Sequence, residues 1–211
     1  MRLIVISSGK SLEQEIQIVT DLFEAGLPTF HLKKDLYSTR RMAKFIRQIP
    51  KQYHDRIVIH SHHKLARRFK LKGIHLSKPH KKRKWRTLVN LRLVQLRNPH
   101  IQLSTSVKTL GSLYSDAHEL NYDTLFLSPV FDHNSSKYQG GFSVYSLKIA
   151  LEKTKYKVVA RGGADIQAIQ KANELGFDGL AFYSIIWRNE NPIRFFQEIL
   201  AEFERLGIKV E

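Results

Sequence analysis

Imidazole side chains are the groups in this sequence that could bind a metal ion without help from sulfur. His60, His62 and His63 lie within four positions, and three neutral imidazoles are a ligand set that zinc accepts. His60 is expected to end a strand, however, while His62 and His63 begin the next segment. Their side chains are therefore not expected to converge, and no carboxylate lies beside them in the sequence. We predict no metal site from these three residues.

Glycines, hydroxyls and lysines in later segments could hold a phosphate group. Gly162 and Gly163 precede a helix start, and Ser184 follows a buried run near the end of the chain. Glycines allow backbone N–H groups to approach an anion closely. The alternative is that the glycine pair only turns the chain, and phosphate binding is the favoured interpretation. An intervening long segment contributes Ser135 and Lys137, a hydroxyl and a cation that suit phosphate.

The composition excludes several kinds of site. The 211 residues contain no cysteine, which rules out disulfides, thiolate zinc sites, iron–sulfur clusters and a cysteine nucleophile. The 35 Lys and Arg residues outnumber the 19 Asp and Glu residues, so the formal net charge is +16 at pH 7. A field of this size attracts the phosphates of nucleic acids, of membranes or of small metabolites. Charge alone does not choose among these partners.

The densest basic run is Lys78–Arg86, which reads KPHKKRKWR. Such runs are typically solvated loops, and Trp85 alone does not supply the interleaved aromatics of nucleic-acid binders. The apolar stretch Leu180–Trp187 is far shorter than the roughly 20 residues that cross a bilayer. Met1–Ser8 lacks the apolar stretch of about 7 to 15 residues found in signal peptides. We therefore expect a cytoplasmic protein with neither nucleic acid nor a membrane as its partner.

Short β-branched runs alternate with helical patterns along the chain, and these elements must position the groups described above. Strands are expected to begin near Arg2, Thr29, Arg56, Gly73, His100, Asp123, Tyr156 and Asp178. The alternation implies a parallel sheet with right-handed crossovers. A dinucleotide-binding open sheet would have Gly-x-Gly-x-x-Gly after its first strand, where this chain has Ser7–Lys10. We predict one α/β domain, residues 1–211, folded as a (βα)8 TIM barrel.

In such a barrel the active site lies at the carboxyl ends of the strands. Basic and hydroxyl side chains are found at most of the predicted strand ends: His31, Lys33, Lys34, His60, Ser104, Ser106, Arg161 and Ser184. His75 lies in the middle of the fourth strand and is expected to pack beneath the site. His54 and His100 fall outside the strand ends and are expected at the surface. The open end of the barrel is therefore predicted to be basic.

Several short motifs, taken in order, resemble the thiamine phosphate synthase and thiazole tautomerase superfamily of small (βα)8 barrels. Gly73–Leu76 is similar to the family's Gly-Ile-His-Leu strand, and Ser128–Phe131 to its Gly-Pro-Val-Phe. Gly162 and Gly163 resemble its Gly-Gly after strand seven, and Ser106 takes the place of its strand-five serine. The resemblance extends over nearly the whole chain and depends on the order and spacing of the motifs.

The resemblance implies a transferase of thiamine biosynthesis. In the family, the synthase joins hydroxymethylpyrimidine pyrophosphate to thiazole phosphate. Pyrophosphate leaves with Mg²⁺ and basic residues neutralising its charge, and the thiazole nitrogen captures the pyrimidine methylene cation. Lys33 would replace the arginine that grips pyrophosphate, and His31 the neighbouring glutamine. The residues that would hold the thiazole phosphate are Ser135, Lys137, Gly162, Gly163 and Ser184.

The main departures from the family concern its magnesium ion. The strand-two pattern Gln-x-Arg-x-Lys reads His31-x-Lys33-x-Asp35, and the strand-three Asn-Asp reads His60–Ser61. A further family aspartate aligns with His80. Both Mg²⁺ carboxylates are thus missing, so the resemblance names Mg²⁺ while the residues predict no certain cofactor. Basic side chains would offset the pyrophosphate charge instead. The expected catalytic residues are His31, Lys33, His60 and Ser106.

Two other functions stay open at this point. A thiazole tautomerase-like isomerase would need a proton shuttle, and the family's shuttle histidine is Pro129 here, with His133 four residues further on. A non-catalytic phosphate-ligand or nucleic-acid-binding barrel would use the basic run Lys78–Arg86. The expected partner is a small phosphorylated substrate. The sequence does not determine the oligomeric state, and a homodimer stays open.

Overall fold

Eight parallel strands close into a barrel in the computed structural model, which describes residues 1–10, 12–77, 84–114, 120–131 and 142–211. The strands are β1 (Arg2–Ile6), β2 (Thr29–Leu32), β3 (Ile57–Ile59), β4 (Gly73–Leu76), β5 (Gln102–Val107), β6 (Thr124–Leu127), β7 (Lys157–Arg161) and β8 (Gly179–Phe182). Each pairs with its neighbours in sequence, and β1 also pairs with β8. The predicted strand starts lie within two residues of the observed ones. The predicted (βα)8 barrel is confirmed.

Helices follow the strands and cover the outside of the barrel. The described helices are α1 (Glu15–Glu24), α2 (Thr39–Gln48), α3 (Lys64–Phe69), α4 (Lys84–Gln95), α5 (Gly111–Tyr114), α6 (Val144–Lys153), α7 (Gln167–Leu175), α8 (Ser184–Arg188) and α9 (Pro192–Arg205). A 3-10 helix, Lys51–Arg56, precedes β3. Among the helices in the described ranges, none has the length and apolar character needed to cross a membrane.

The last helix shows how local sequence sets an element and its packing. Asn191 caps α9 by accepting a hydrogen bond from the backbone N–H of Arg194. Pro192 begins the helix, and the first helical position suits proline because an N–H there would have no partner within the helix. Apolar residues at helical spacing then face the barrel and are buried: Phe196, Ile199 and Phe203. A cap and an apolar face together determine where α9 starts and which side packs.

His54 lies inside the protein, so the expected surface position is wrong for this residue. It is 7% exposed, and its Nε2–H donates to the carbonyls of Ile46 and Ile49, each 3.0 Å away. Ile46 lies in the last turn of α2 and Ile49 directly follows the helix, where carbonyls lack their full set of helical donors. His54 therefore caps the carboxyl end of α2. His100 is exposed, as expected.

The barrel interior is only partly apolar. Outward side chains such as Leu3 and Val5 join the large apolar cluster between strands and helices. Inward side chains form a separate small cluster consisting of Ile4, Ile6, Phe126, Val159 and Ala181. These residues come from β1, β6, β7 and β8, because alternate residues of a strand face opposite sides. The remaining interior, along β2 to β5, contains buried polar side chains such as His31, His75 and Ser104 beside the apolar Val58.

Candidate active site at the carboxyl ends of the strands

Three imidazoles meet inside the barrel just below its open end. His31 lies on β2, His60 directly follows β3 and His75 lies on β4. They are 2%, 5% and 3% exposed, respectively. His31 Nδ1 lies 3.1 Å from His60 Nε2, and the His60 and His75 rings stack with centroids 4.2 Å apart and an interplanar angle of 19°. We call these residues the histidine cluster.

Strand register explains why residues so distant in sequence come together. His31 pairs with Val58 on β3, and His60 lies two residues beyond Val58 and therefore on the same inward face. Val58 in turn pairs with Gly73, two residues before His75. Neighbouring strands thus present the imidazoles at similar heights in the barrel. This grouping was not predicted from the sequence, although the alternation of inward and outward residues along β2 and β3 would have indicated it.

Burial keeps two of these imidazoles neutral. The pKa values of His31 and His60 are lowered well below the usual 6.5, chiefly because burial penalises the charged form. The neighbouring His75 and the guanidinium of Arg161 lower both pKa values further. His31 and His60 therefore do not supply the positive charge expected of them near neutral pH, and they act as polar uncharged groups.

His75 bridges two serines of β5, so it does more than pack beneath the site. Its Nδ1 lies 3.0 Å from Ser104 Oγ, and its Nε2 lies 3.0 Å from Ser106 Oγ. A serine hydroxyl can donate to an imidazole nitrogen or accept from an imidazole N–H, so each serine can complete its hydrogen bond with His75. Ser104 is buried whereas Ser106 is half-buried at the open end. Of the two serines, Ser106 is therefore the one that a ligand can reach.

Lys33 and Arg161 supply positive charge at the open end. The Lys33 side chain is 39% exposed, and its Nζ lies 3.6 Å from Asp35 Oδ2. Arg161, at the end of β7, is half-buried, and burial lowers its pKa while Tyr183 and Asp35 oppose that shift. A guanidinium starts from so high a pKa that it stays charged. The sequence analysis placed Arg161 at the open end without assigning it a role, and its influence on His31 and His60 brings it into the site.

Lys34, by contrast, is buried and fully engaged. Its Nζ donates to Glu15 Oε2 at 2.5 Å and to the carbonyls of Ser8 and Lys10 at 2.7 and 2.8 Å. Glu15 also accepts from the backbone N–H of Ser8 at 3.0 Å. Burial raises the pKa of Glu15, although Lys34 opposes this shift. Lys34 therefore ties the segment after β1 to the end of β2, and it is not available to a ligand.

A cavity of about 330 Å³ opens beside Lys33. Its lining includes Ser7, Lys33, Asp35 and Tyr183. Tyr183 lies over Gly9, where an added Cβ would come within 2.3 Å of the tyrosine hydroxyl. The absence of a side chain at Gly9 therefore lets Tyr183 close one wall of the cavity.

The predicted phosphate residues Gly162, Gly163 and Ser184 lie in the segments that follow β7 and β8. Gly162 and Gly163 have φ values of +95° and +67°, which glycine adopts without strain. A Cβ at Gly162 would lie 3.1 Å from Pro129 Cα, so this position is also close-packed. Gly163 and Ser184 line one cavity of about 360 Å³ together with Arg188, which the sequence analysis did not single out. The predicted phosphate residues Ser135 and Lys137 lie outside the described residues.

His60, His62 and His63, whose side chains were not expected to converge, have different surroundings. His62 Nδ1 lies 2.9 Å from Thr39 Oγ1, and its Nε2 donates to the carbonyl of Tyr37 at 2.6 Å, whereas His60 faces the barrel interior. Within the described ranges, one set of three or more His, Asp or Glu ligand atoms lies within 4.8 Å of one another, and it is the histidine cluster. His60 is therefore grouped with His31 and His75 of the neighbouring strands, and not with its neighbours in sequence.

Comparisons with known proteins agree with this architecture. A thiamine-phosphate synthase of Vibrio parahaemolyticus is 32% identical over 111 residues, which are 51% of this chain and 52% of that protein. The match thus spans about half the length of that relative. A solved thiamine phosphate pyrophosphorylase of Bacteroides thetaiotaomicron has a TM-score of 0.75 and 26% identity, covering 97% of this chain and 98% of that chain.

A second solved structure supports the fold alone. A thiamine phosphate pyrophosphorylase of Pyrococcus furiosus is 19% identical, with a TM-score of 0.74 over 97% of this chain and 96% of that chain. The family described as thiamine monophosphate synthase matches residues 3–186, which run from β1 into α8 and include both the histidine cluster and the glycine pair. The chain belongs to the thiamine monophosphate synthase family.

Proposed function

We propose that this protein is a thiamine phosphate synthase, which joins hydroxymethylpyrimidine pyrophosphate to thiazole phosphate and releases pyrophosphate. Family membership supports the reaction class. The observation that carries the proposal is a pair of cavities lined by consecutive residues, with Tyr183 and Lys33 in one and Ser184 and Gly163 in the other. We propose that each cavity binds the phosphate groups of one substrate. A cytoplasmic location, where small phosphorylated substrates occur, belongs to the same proposal.

The glycine loop would hold the thiazole phosphate, and the cations would serve pyrophosphate. The bond between the pyrimidine methylene carbon and the pyrophosphate oxygen breaks, and its electron pair leaves with pyrophosphate. The lone pair of the thiazole nitrogen then forms the new C–N bond. Lys33 and Arg161 neutralise the charge that develops on the leaving group. Ser106, held by His75, faces the ligand, while neutral His31 and His60 form the floor beneath it.

The magnesium ion of the family does not fit the described residues. Mg²⁺ requires oxygen ligands, usually carboxylates. Asp35 pairs with Lys33, and Asp165 Oδ1 accepts from the backbone N–H of Ala168 at 2.8 Å. Ser61 Oγ is buried without a hydrogen-bond partner among the described residues, but it is a single neutral oxygen. We propose that the family's magnesium carboxylates are replaced here, and that protein cations neutralise the pyrophosphate.

The test is turnover of the two substrates with EDTA and, separately, with Mg²⁺, followed by chromatography of thiamine phosphate. We expect product in both tubes. Lys33→Ala should lower kcat/KM for the pyrophosphate substrate by about tenfold or more, because one charge-assisted contact contributes about 1.5–3 kcal/mol. It should leave thiazole phosphate affinity unchanged. Lys64→Ala, which removes an exposed lysine at the start of α3, is the matched control.

Three outcomes contradict the proposal or a part of it. If thiazole phosphate binds but no thiamine phosphate forms in either tube, the synthase reaction is excluded and an isomerase or non-catalytic barrel remains. If product forms only with Mg²⁺, neutralisation by protein cations alone is wrong. If Lys64→Ala matches Lys33→Ala, the effect of Lys33 is one of general charge and not of the site.

A further inference from the structure

We propose that the histidine cluster is a binding site for one transition metal ion of the Zn²⁺ or Co²⁺ type. His31, His60 and His75 contribute ligand nitrogens that lie within 4.8 Å of one another. The inference goes beyond the proposed synthase reaction, which uses these residues only as an uncharged floor. It also differs from the magnesium site of the family, since the donors are nitrogens from three adjacent strands.

The observed distances need little change to accommodate an ion. Two imidazole nitrogens bound to one tetrahedral zinc at about 2.0–2.1 Å lie about 3.3 Å apart. His31 Nδ1 and His60 Nε2 are already 3.1 Å apart. The His75 nitrogen lies at most 4.8 Å from the others, so it has to approach by no more than about 1.5 Å. Its ring stacks on that of His60, so the His75 side chain has to rotate until a nitrogen lone pair faces the ion, and this rotation exchanges one of its two serine hydrogen bonds for the metal bond.

The chemistry of the donors selects the kind of metal. Imidazole nitrogen suits zinc, cobalt, nickel and copper, whereas magnesium and calcium require oxygen. His75 offers either ring nitrogen, and the nitrogen that does not bind the metal keeps its serine, Ser104 or Ser106. Such a second hydrogen bond holds a metal-binding imidazole in position. Burial keeps His31 and His60 neutral, so each ring has one nitrogen lone pair with which it can bind an ion near neutral pH.

The charge around the cluster determines what completes the coordination. Three neutral imidazoles leave the full double charge of the ion uncompensated, and Lys33 and Arg161 are both close enough to His60 to lower its pKa. A fourth ligand is therefore expected to be an anion, either hydroxide or a phosphate oxygen. Phosphate in the buffer should accordingly strengthen metal binding.

The experiment measures metal bound by the untagged full chain, independently of turnover. The protein is stripped with a chelator, dialysed and titrated with Co²⁺, whose visible absorption bands are intense in four-coordinate sites. We expect one Co²⁺ per chain, displaced by Zn²⁺. His31→Gln, His60→Asn and His75→Asn should each weaken binding by more than the roughly 10- to 100-fold caused by loss of an outer-shell partner. His62→Asn and His100→Asn are matched controls that should bind as the wild type does.

A second measurement avoids variants altogether, in case a substitution in the interior prevents folding. X-ray absorption of the zinc-loaded wild type should show three imidazole nitrogens at about 2.0–2.1 Å and one further light atom. The proposal is overturned if the wild type binds no Co²⁺, if His62→Asn abolishes binding, or if the absorption spectrum shows a shell of oxygens alone. Failure of the synthase assay leaves this inference untouched, because metal content is read without substrate.

Discussion

At the residue scale, Gly163 combines a left-handed backbone conformation with a position in the wall of a cavity. Its φ of +67° lies in the left-handed region, and it lines the cavity that also contains Ser184. A β-branched side chain at this position would strain the backbone and would also occupy space at the wall of the cavity in which we propose that the thiazole phosphate binds. The two effects can be separated, because Gly176 at the end of α7 also has positive φ, +90°, with nothing within 4 Å of an added Cβ.

We therefore predict different consequences for Gly163→Val and Gly176→Val. Each should destabilise the fold by about 1–3 kcal/mol, because a β-branched residue is strained at positive φ. Only Gly163→Val should also weaken thiazole phosphate binding, by about tenfold or more. Calorimetric titration measures affinity, and thermal unfolding measures stability. Wild-type affinity in a folded Gly163→Val protein would contradict phosphate binding at this loop.

The positions of two neighbouring lysines were predicted from the sequence only in part. Lys33 and Lys34 were both expected at the open end, yet Lys33 is exposed there and Lys34 is buried against Glu15. Alternation along β2 explains the difference, because Lys33 shares the inward parity of His31 and Lys34 does not. The different orientations of Lys33 and Lys34 could therefore have been predicted from the sequence. The ion pair could not, since nothing in the sequence indicates that Glu15 packs beside Lys34.

At the element scale, the ion pair of Glu15 and Lys34 joins the start of α1 to the end of β2. Both side chains are buried, at 1% and 2% exposed. A buried pair adds little net stability by itself, but removing one partner leaves an uncompensated charge in the interior. The pair therefore fixes the position of α1 relative to the open end of the barrel, where Ser7 Oγ also accepts from the backbone N–H of Lys33.

Lys34→Met should accordingly destabilise the protein by about 3–5 kcal/mol, because Glu15 would remain buried without its cation. The double variant Glu15→Leu with Lys34→Met should recover much of this loss. Lys33→Met, one residue away and exposed, is the control and should change stability by less than about 0.5 kcal/mol. Urea unfolding gives all four values. A Lys34→Met protein as stable as the Lys33→Met control would show that the pair is not structural.

At the scale of the whole molecule, the buried imidazoles make stability depend on pH. The unfolded chain protonates its histidines near pH 6.5, whereas the folded pKa values of His31 and His60 lie well below that. As the pH falls below 6.5, the unfolded state binds protons that the folded state does not bind. Stability is therefore full above pH 6.5 and is lost as the pH falls toward the folded pKa values.

The expected slope can be measured on metal-free protein. Each of these histidines should contribute a loss of up to about 1.4 kcal/mol per pH unit below pH 6.5. Urea unfolding from pH 7.5 to 5 in EDTA should show this loss in the wild type. His31→Gln, which removes one titrating imidazole, should show a shallower slope, whereas the exposed His100→Asn should match the wild type. Equal slopes in all three proteins would indicate that burial does not hold His31 neutral.

The order of strands and helices was determined by the sequence itself, because alternation and helical spacing are local properties of the chain. The same holds for the glycine pair, whose left-handed backbone almost any other residue would resist. Contacts between distant strands were decided only by the tertiary structure. Barrel closure and strand register set His31, His60 and His75 at one height, whereas in the sequence His60 lies next to His62 and His63. Periodicity reports the face on which a side chain lies, and only the closed barrel determines which side chains from other strands meet it there.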